Sequence, residues 1–134
     1  MNDFAFHHIG VAVQTLAEAI PSYRDLFGYE LKSKCFDDPI QKVSVCFLSR
    51  GDGDPVIELV APLGPTSPVI GTLKKGAGVY HVCYEVKDIA GSVEQLRRKG
   101  CYLISGPDPA VAFNQKKIAW IMTQSNLLVE LLEA

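Results

Sequence analysis

An α+β fold of two tandem β-α-β-β-β modules is what this sequence predicts, and three observations predict it. Two strand-length runs begin with histidine, His8-Ile9-Gly10-Val11-Ala12-Val13 and His81-Val82-Cys83-Tyr84-Glu85-Val86. Each run leads into a helix signal that ends at a glycine, Gly28 in the first copy and Gly100 in the second. Each copy then closes with an apolar strand holding one central acid, Val56-Ile57-Glu58-Leu59-Val60 and Leu128-Val129-Glu130-Leu131-Leu132. Fifty residues separate His8 from Glu58 and forty-nine separate His81 from Glu130.

The elements follow in order. Thr15-Leu16-Ala17-Glu18 is a capping-box pattern, and Asp88 is a good N-cap for the second helix. Apolar residues recur at helical spacing at Leu16, Ile20, Tyr23 and Phe27, and again at Ile89, Val93 and Leu96. Pro21 interrupts the first pattern, so a kink or a late helix start is expected there. Short strands follow at Tyr29-Glu30-Leu31 and Cys101-Tyr102-Leu103. Gln41-Lys42 opens a strand through Leu48, and Gln115-Lys116 opens one through Met122. Between the copies, Pro62 to Pro68 reads as a loop. Ser67-Pro68 reads as an N-cap with proline at the first helical position of a short helix ending at Gly76. Module one covers about 4–62, the linker with its short helix about 63–77, and module two about 78–134. Halves this small cannot bury separate cores, so 1–134 is expected to be one domain.

Composition narrows the classes of function. Hydrophobic residues make up 48% of the chain and charged residues 21%, as in an ordinary globular protein. No apolar run approaches the roughly 20 residues that span a bilayer, and no signal peptide is evident at the N-terminus. The formal net charge is −2 and the basic residues are scattered, which argues against nucleic acid as a partner. Cys35, Cys46, Cys83 and Cys101 form no CxxC pair and read as reduced residues of a cytoplasmic protein.

Strand alternation places the chemistry. His8, Gly10 and Ala12 share one face of their strand, with Ile9, Val11 and Val13 on the other. His81, Cys83 and Glu85 oppose Val82, Tyr84 and Val86 in the same way. Glu58 shares its face with Val56 and Val60, and Glu130 with Leu128 and Leu132. The bulky apolar faces suit packing under helices. A lone carboxylate among apolar neighbours costs several kcal/mol to bury, so something must compensate it. Recurrence at matched positions points to one divalent metal held by His8, Glu58, His81 and Glu130. Two imidazoles and two carboxylates suit Co, Ni, Mn, Fe or Zn. His7 falls on the opposite face and reads as a structural or surface residue.

The motifs His7-His8-Ile9-Gly10-Val11-Ala12-Val13, Tyr23-Arg24-Asp25-Leu26-Phe27-Gly28, Ile57-Glu58-Leu59-Val60-Ala61-Pro62, Gly78-Val79-Tyr80-His81-Val82 and Leu128-Val129-Glu130-Leu131 resemble the vicinal oxygen chelate superfamily. Its members include glyoxalase I, methylmalonyl-CoA epimerase, extradiol dioxygenases and bleomycin-resistance proteins. The resemblance covers essentially the whole chain and is nearest to the epimerase and glyoxalase-like branches. It implies an open, eight-stranded, cup-shaped sheet with helices outside and a metal at its centre, on the same four ligands. It implies an isomerase or lyase working through an enolate, with Glu130 and Glu58 as the catalytic carboxylates and Gln41 and Lys117 as substrate contacts. A CoA thioester is the leading substrate and a glutathione hemithioacetal the second. Lys74, Lys75, Lys116 and Lys117 are available for CoA phosphates, and a homodimer is expected.

The chain departs from the epimerase pattern in two places. The strand from Gln41 to Leu48 carries no acid, although some epimerases present a catalytic carboxylate there. Ala112-Phe113-Asn114-Gln115-Lys116-Lys117 replaces a glycine-rich segment usual in epimerases. Two other functions fit the resemblance. A dioxygenase typically uses two histidines and one carboxylate, so a fourth protein ligand argues against it. A non-catalytic drug-binding protein needs no metal, and retention of all four ligand types argues against that too.

Overall fold

A computed structural model describes residues 3–76 and 78–134. Among the described residues nine β-strands and three α-helices form an α+β arrangement, and the sheet is open, not closed. The chain divides into two units, His8–Tyr80 and the residues through His7 together with His81–Ala134. The strand β1 (Ala5–Ala12) therefore contributes residues to both.

The His8–Tyr80 unit continues with α1 (Leu16–Phe27), β2 (Glu30–Leu31), β3 (Phe36–Asp38), β4 (Val43–Ser49), β5 (Val56–Pro62) and α2 (Val69–Lys74). β5 runs parallel to β1 and antiparallel to β4, and β2 and β3 share the remaining edge of β4. The second unit holds β6 (Gly78–Val86) from His81 onward, α3 (Ile89–Arg98), β7 (Tyr102–Pro109), β8 (Lys117–Met122) and β9 (Leu128–Glu133). There β9 is parallel to β6 and antiparallel to β8, which pairs with β7. Each unit thus repeats the same parallel-plus-antiparallel trio, β1·β5·β4 and β6·β9·β8.

Local signals explain most boundaries. The Thr15 hydroxyl accepts the Glu18 N–H at 3.3 Å, and the Asp88 carboxylate accepts the Gly91 N–H at 3.0 Å. Gly28 caps α1 in the left-handed region at φ 78°, where a side chain would be strained. α1 starts at Leu16 and passes through Pro21, so the expected late start does not occur. Ala17 and Pro21 are both exposed, so water can serve the carbonyl that proline leaves without its donor.

The structure corrects four boundaries. The expected eight strands are nine, because β3 is a three-residue strand containing Asp37 and Asp38, too short and too polar to show periodicity. Gln41-Lys42 lies in a turn rather than in β4, with Lys42 in the left-handed region at φ 59°. Asn114 and Gln115 are also left-handed, at φ 56° and 68°, and β8 opens only at Lys117. Pro68 is itself the cap of α2, and the Ser67 hydroxyl accepts the Val69 N–H at 3.4 Å.

Alternation sorts the side chains as their spacing requires. In the first unit Cys46, Leu48 and Leu59 are buried against Val11, Leu16, Ile20 and Tyr23, which places α1 on that face. In the second, Val86, Ile89, Val93, Ile121, Val129 and Leu131 form the layer shared with α3. No helix among the described residues is long and apolar enough to cross a membrane. Truncating the fully buried Leu131 to alanine is expected to destabilise the protein by about 2–5 kcal/mol, against about 1 kcal/mol for the cap change Asp88→Ala. Urea denaturation of the two variants measures both.

Candidate functional site: two buried histidine–glutamate pairs

The strand faces away from the helices carry the chemistry. In the first unit β1 and β5 pair with Gly10 opposite Glu58, so His8 stands two residues along on the same face as the carboxylate. His8 Nε2 lies 3.2 Å from Glu58 Oε1. On the other side of β5, Phe47 is the cross-strand partner of Glu58 and meets the His8 ring edge-on, with centroids 5.4 Å apart. His8 is 0% exposed and Glu58 5%.

The second unit repeats this arrangement. Cys83 stands opposite Glu130 across β6 and β9, and His81 is again two residues earlier. His81 Nε2 lies 3.3 Å from Glu130 Oε1. Trp120, the partner of Glu130 on β8, meets the His81 ring edge-on at 4.9 Å. Both members of this pair are buried, at 1% and 2% exposure. A histidine, a glutamate and an aromatic ring thus form one constellation, built twice by one strand register.

The structure brings His8 to Glu58 and His81 to Glu130. Gln41 lies just before β4 and Lys117 opens β8, the strands that carry Phe47 and Trp120. The Gln41 backbone donates to Asp38 Oδ1 at 3.0 Å, and the Lys117 backbone donates to Glu133 Oε1 at 3.3 Å. His7 is half-buried edge-on to Phe113, at 5.7 Å, a packing role as its strand face requires. The acids of β3 are engaged locally: Asp38 accepts the Ile40 and Gln41 N–H groups, and Asp37 accepts the Ser44 hydroxyl at 2.6 Å. β4 itself offers no carboxylate, as its sequence indicates.

Sequence reasoning missed Phe47 and Trp120. The repeat contains the signal, since Phe47 is six residues after Gln41 and Trp120 five after Gln115. Only the strand register shows that each faces a glutamate.

A constellation of this kind, on paired β-α-β-β-β units, defines a class of protein. A model of the Glyoxalase/Bleomycin resistance protein/Dioxygenase superfamily, the vicinal oxygen chelate proteins, matches residues 7–120, and the chain belongs to that superfamily. Within it, the chain is 32% identical over 129 residues to an ethylmalonyl-CoA/methylmalonyl-CoA epimerase of Cereibacter sphaeroides, covering 93% of this chain and 94% of the relative. A solved methylmalonyl-CoA epimerase from Mycobacterium tuberculosis superposes with a TM-score of 0.82 at 26% identity, covering 96% of this chain and 87% of that one. A hypothetical protein from Bacillus halodurans superposes with a TM-score of 0.83 at 26% identity, covering 99% and 96%.

Each pair is expected to be energetically coupled. In double-mutant cycles, His8→Ala with Glu58→Ala and His81→Ala with Glu130→Ala should each give a coupling of about 0.5–3 kcal/mol in urea unfolding. Simple additivity in either unit would show that the contact contributes nothing there.

Proposed function

We propose that this protein is a metal-dependent epimerase that inverts the carbon between the two carbonyl groups of a malonyl-type CoA thioester, with methylmalonyl-CoA the first substrate to try. The observation that carries the reading is the duplicated pair: an imidazole and a carboxylate, buried and in contact, at matched register in both units. The epimerase relatives support the substrate class.

The donor set fits a metal of the Co, Ni, Mn, Zn or Fe kind. Imidazole and carboxylate ligands sit about 2.0–2.2 Å from such ions, so neighbouring donors are roughly 2.9–3.5 Å apart. The nitrogen–oxygen separations of 3.2 and 3.3 Å fall in that range. In this reading His8, Glu58, His81 and Glu130 hold one cation between them, and the two units act as a single domain. When bound, the cation would draw charge from the substrate's carbonyl oxygens and acidify the C–H between them.

The chain's own residues supply the rest. Glu58 and Glu130 move the proton, because β4 has no acid and the β3 carboxylates are committed to backbone and serine partners. Phe47 and Trp120 press on the imidazoles and fix their planes. Val56, Val60, Leu128 and Leu132 share strand faces with the glutamates and suit a small, partly apolar acyl group. Gln41 and Lys117 contact the substrate, and Lys74, Lys75 and Lys116 are the further cations available to the CoA phosphates.

Proton exchange tests the reading. In deuterated buffer, the wild-type protein loaded with Co or Mn should wash out the C2 proton of methylmalonyl-CoA. Glu58→Gln and Glu130→Gln should each slow that exchange by about 10²-fold or more. A wild-type protein inert with every metal of the set would sink the epimerase.

Metal binding has its own readout. Trp120 is the chain's single tryptophan and touches His81. Cobalt should quench its fluorescence saturably, at one equivalent, and Glu130→Ala should abolish the saturable part. Linear, unsaturable quenching in both proteins would remove the metal from the proposal.

A further inference from the structure

The four cysteines form no sequence motif, yet the β3·β4 ladder brings two of them together. β3 and β4 pair antiparallel with Asp38 opposite Val43, Asp37 opposite Ser44 and Phe36 opposite Val45. Extending that register by one residue sets Cys35 against Cys46. The Asp37–Ser44 side-chain hydrogen bond lies two residues along on the same face, so cross-strand partners there do meet. The two thiols are near enough for Cys35 to raise the Cys46 pKa. Directly opposed strand residues have Cα atoms about 4.5–5.5 Å apart, inside the roughly 4.4–6.8 Å window of a disulfide.

Both cysteines are free thiols and their exposures are opposite. Cys35 is exposed, whereas Cys46 is completely buried beneath α1 with Leu48 and Leu59. Burial pushes the Cys46 thiol up to about 12, with the neighbouring Cys35 adding to the shift. Cys46 is therefore protonated and shielded from solvent, so the exposed Cys35 is the thiol that meets an oxidant first.

We propose that Cys35 and Cys46 form a reversible oxidation site, at which a hydroperoxide converts the dithiol to a cross-strand disulfide. In the first step the Cys35 sulfur attacks a peroxide oxygen; the O–O bond breaks, sulfenic acid forms on Cys35, and the departing oxygen leaves as water or an alcohol, carrying the thiol proton. In the second, the Cys46 sulfur attacks the sulfenic sulfur. The S–S bond forms, the S–O bond breaks, and hydroxide leaves with the Cys46 proton as water. Two thiols are oxidised by two electrons, one peroxide is reduced, and an external dithiol reverses the change.

The site adjoins the His8–Glu58 pair. Cys46 precedes Phe47, the ring against His8. The Phe47 backbone is already tied to the segment before Cys35: its carbonyl accepts the Lys32 N–H at 2.8 Å, and its N–H donates to the Ser33 hydroxyl at 3.2 Å. A disulfide would add a covalent tie to the strand that positions Phe47.

The test is peptide mapping of the full chain after hydrogen peroxide, with remaining thiols alkylated under denaturing conditions. The expected product is lighter by about 2 Da, contains a Cys35–Cys46 linked peptide pair and returns to the dithiol with dithiothreitol. Cys35→Ser, a change at an exposed position, should abolish that product without unfolding the protein. Accumulation of sulfinic acid on Cys35 with Cys46 still alkylated would overturn the proposal. So would linkage of Cys46 to any other cysteine.

Discussion

Putting imidazoles and carboxylates out of reach of water is the constraint around which this protein is arranged. His8, Glu58, His81 and Glu130 are all buried, in strands whose other residues are largely apolar. A desolvated carboxylate is tolerable only with a compensating donor or cation beside it. In both units the compensation begins with the same contact, imidazole nitrogen to carboxylate oxygen at 3.2 and 3.3 Å. The strand register places the histidine two residues from the glutamate's partner, and the aromatic side chain on the adjacent antiparallel strand then closes over the ring.

The repetition is informative because its details differ while its geometry does not. Glycine stands opposite Glu58 where cysteine stands opposite Glu130, and phenylalanine takes the place that tryptophan has in the second unit. Residue size has drifted between the copies. The donor atoms have kept their type and separation. Packing alone does not require that, since apolar pairs of similar volume would fill the same space at less electrostatic cost. These two imidazoles and two carboxylates are the donors on which the proposed metal site rests.

Edge segments contribute through contacts that no local pattern announces. β3 is only three residues long, yet it engages two carboxylates and lines up one thiol with another. The segment before it holds the Phe47 backbone by two hydrogen bonds, one from the Lys32 N–H and one to the Ser33 hydroxyl. The chain between α1 and β4 is therefore more than a connection, because it fixes the strand carrying the ring that meets His8.

The sequence by itself determined the module, its duplication, both helix caps and which face of each strand the histidines and glutamates occupy. These features depend on residue spacing and on near-neighbour chemistry: the alternation around Glu58 and Glu130, the Thr15 and Asp88 caps, and the glycine after each long helix. Tertiary structure alone decided what stands across from what. Phe47 and Trp120 acquire their role from antiparallel register, and Cys35 meets Cys46 because a three-residue strand aligns them. The turn at Gln41-Lys42 likewise escaped the pattern, since a left-handed lysine carries no compositional mark. Alternation assigns a face without a partner; register assigns the partner, and register is set by pairing between strands distant in sequence.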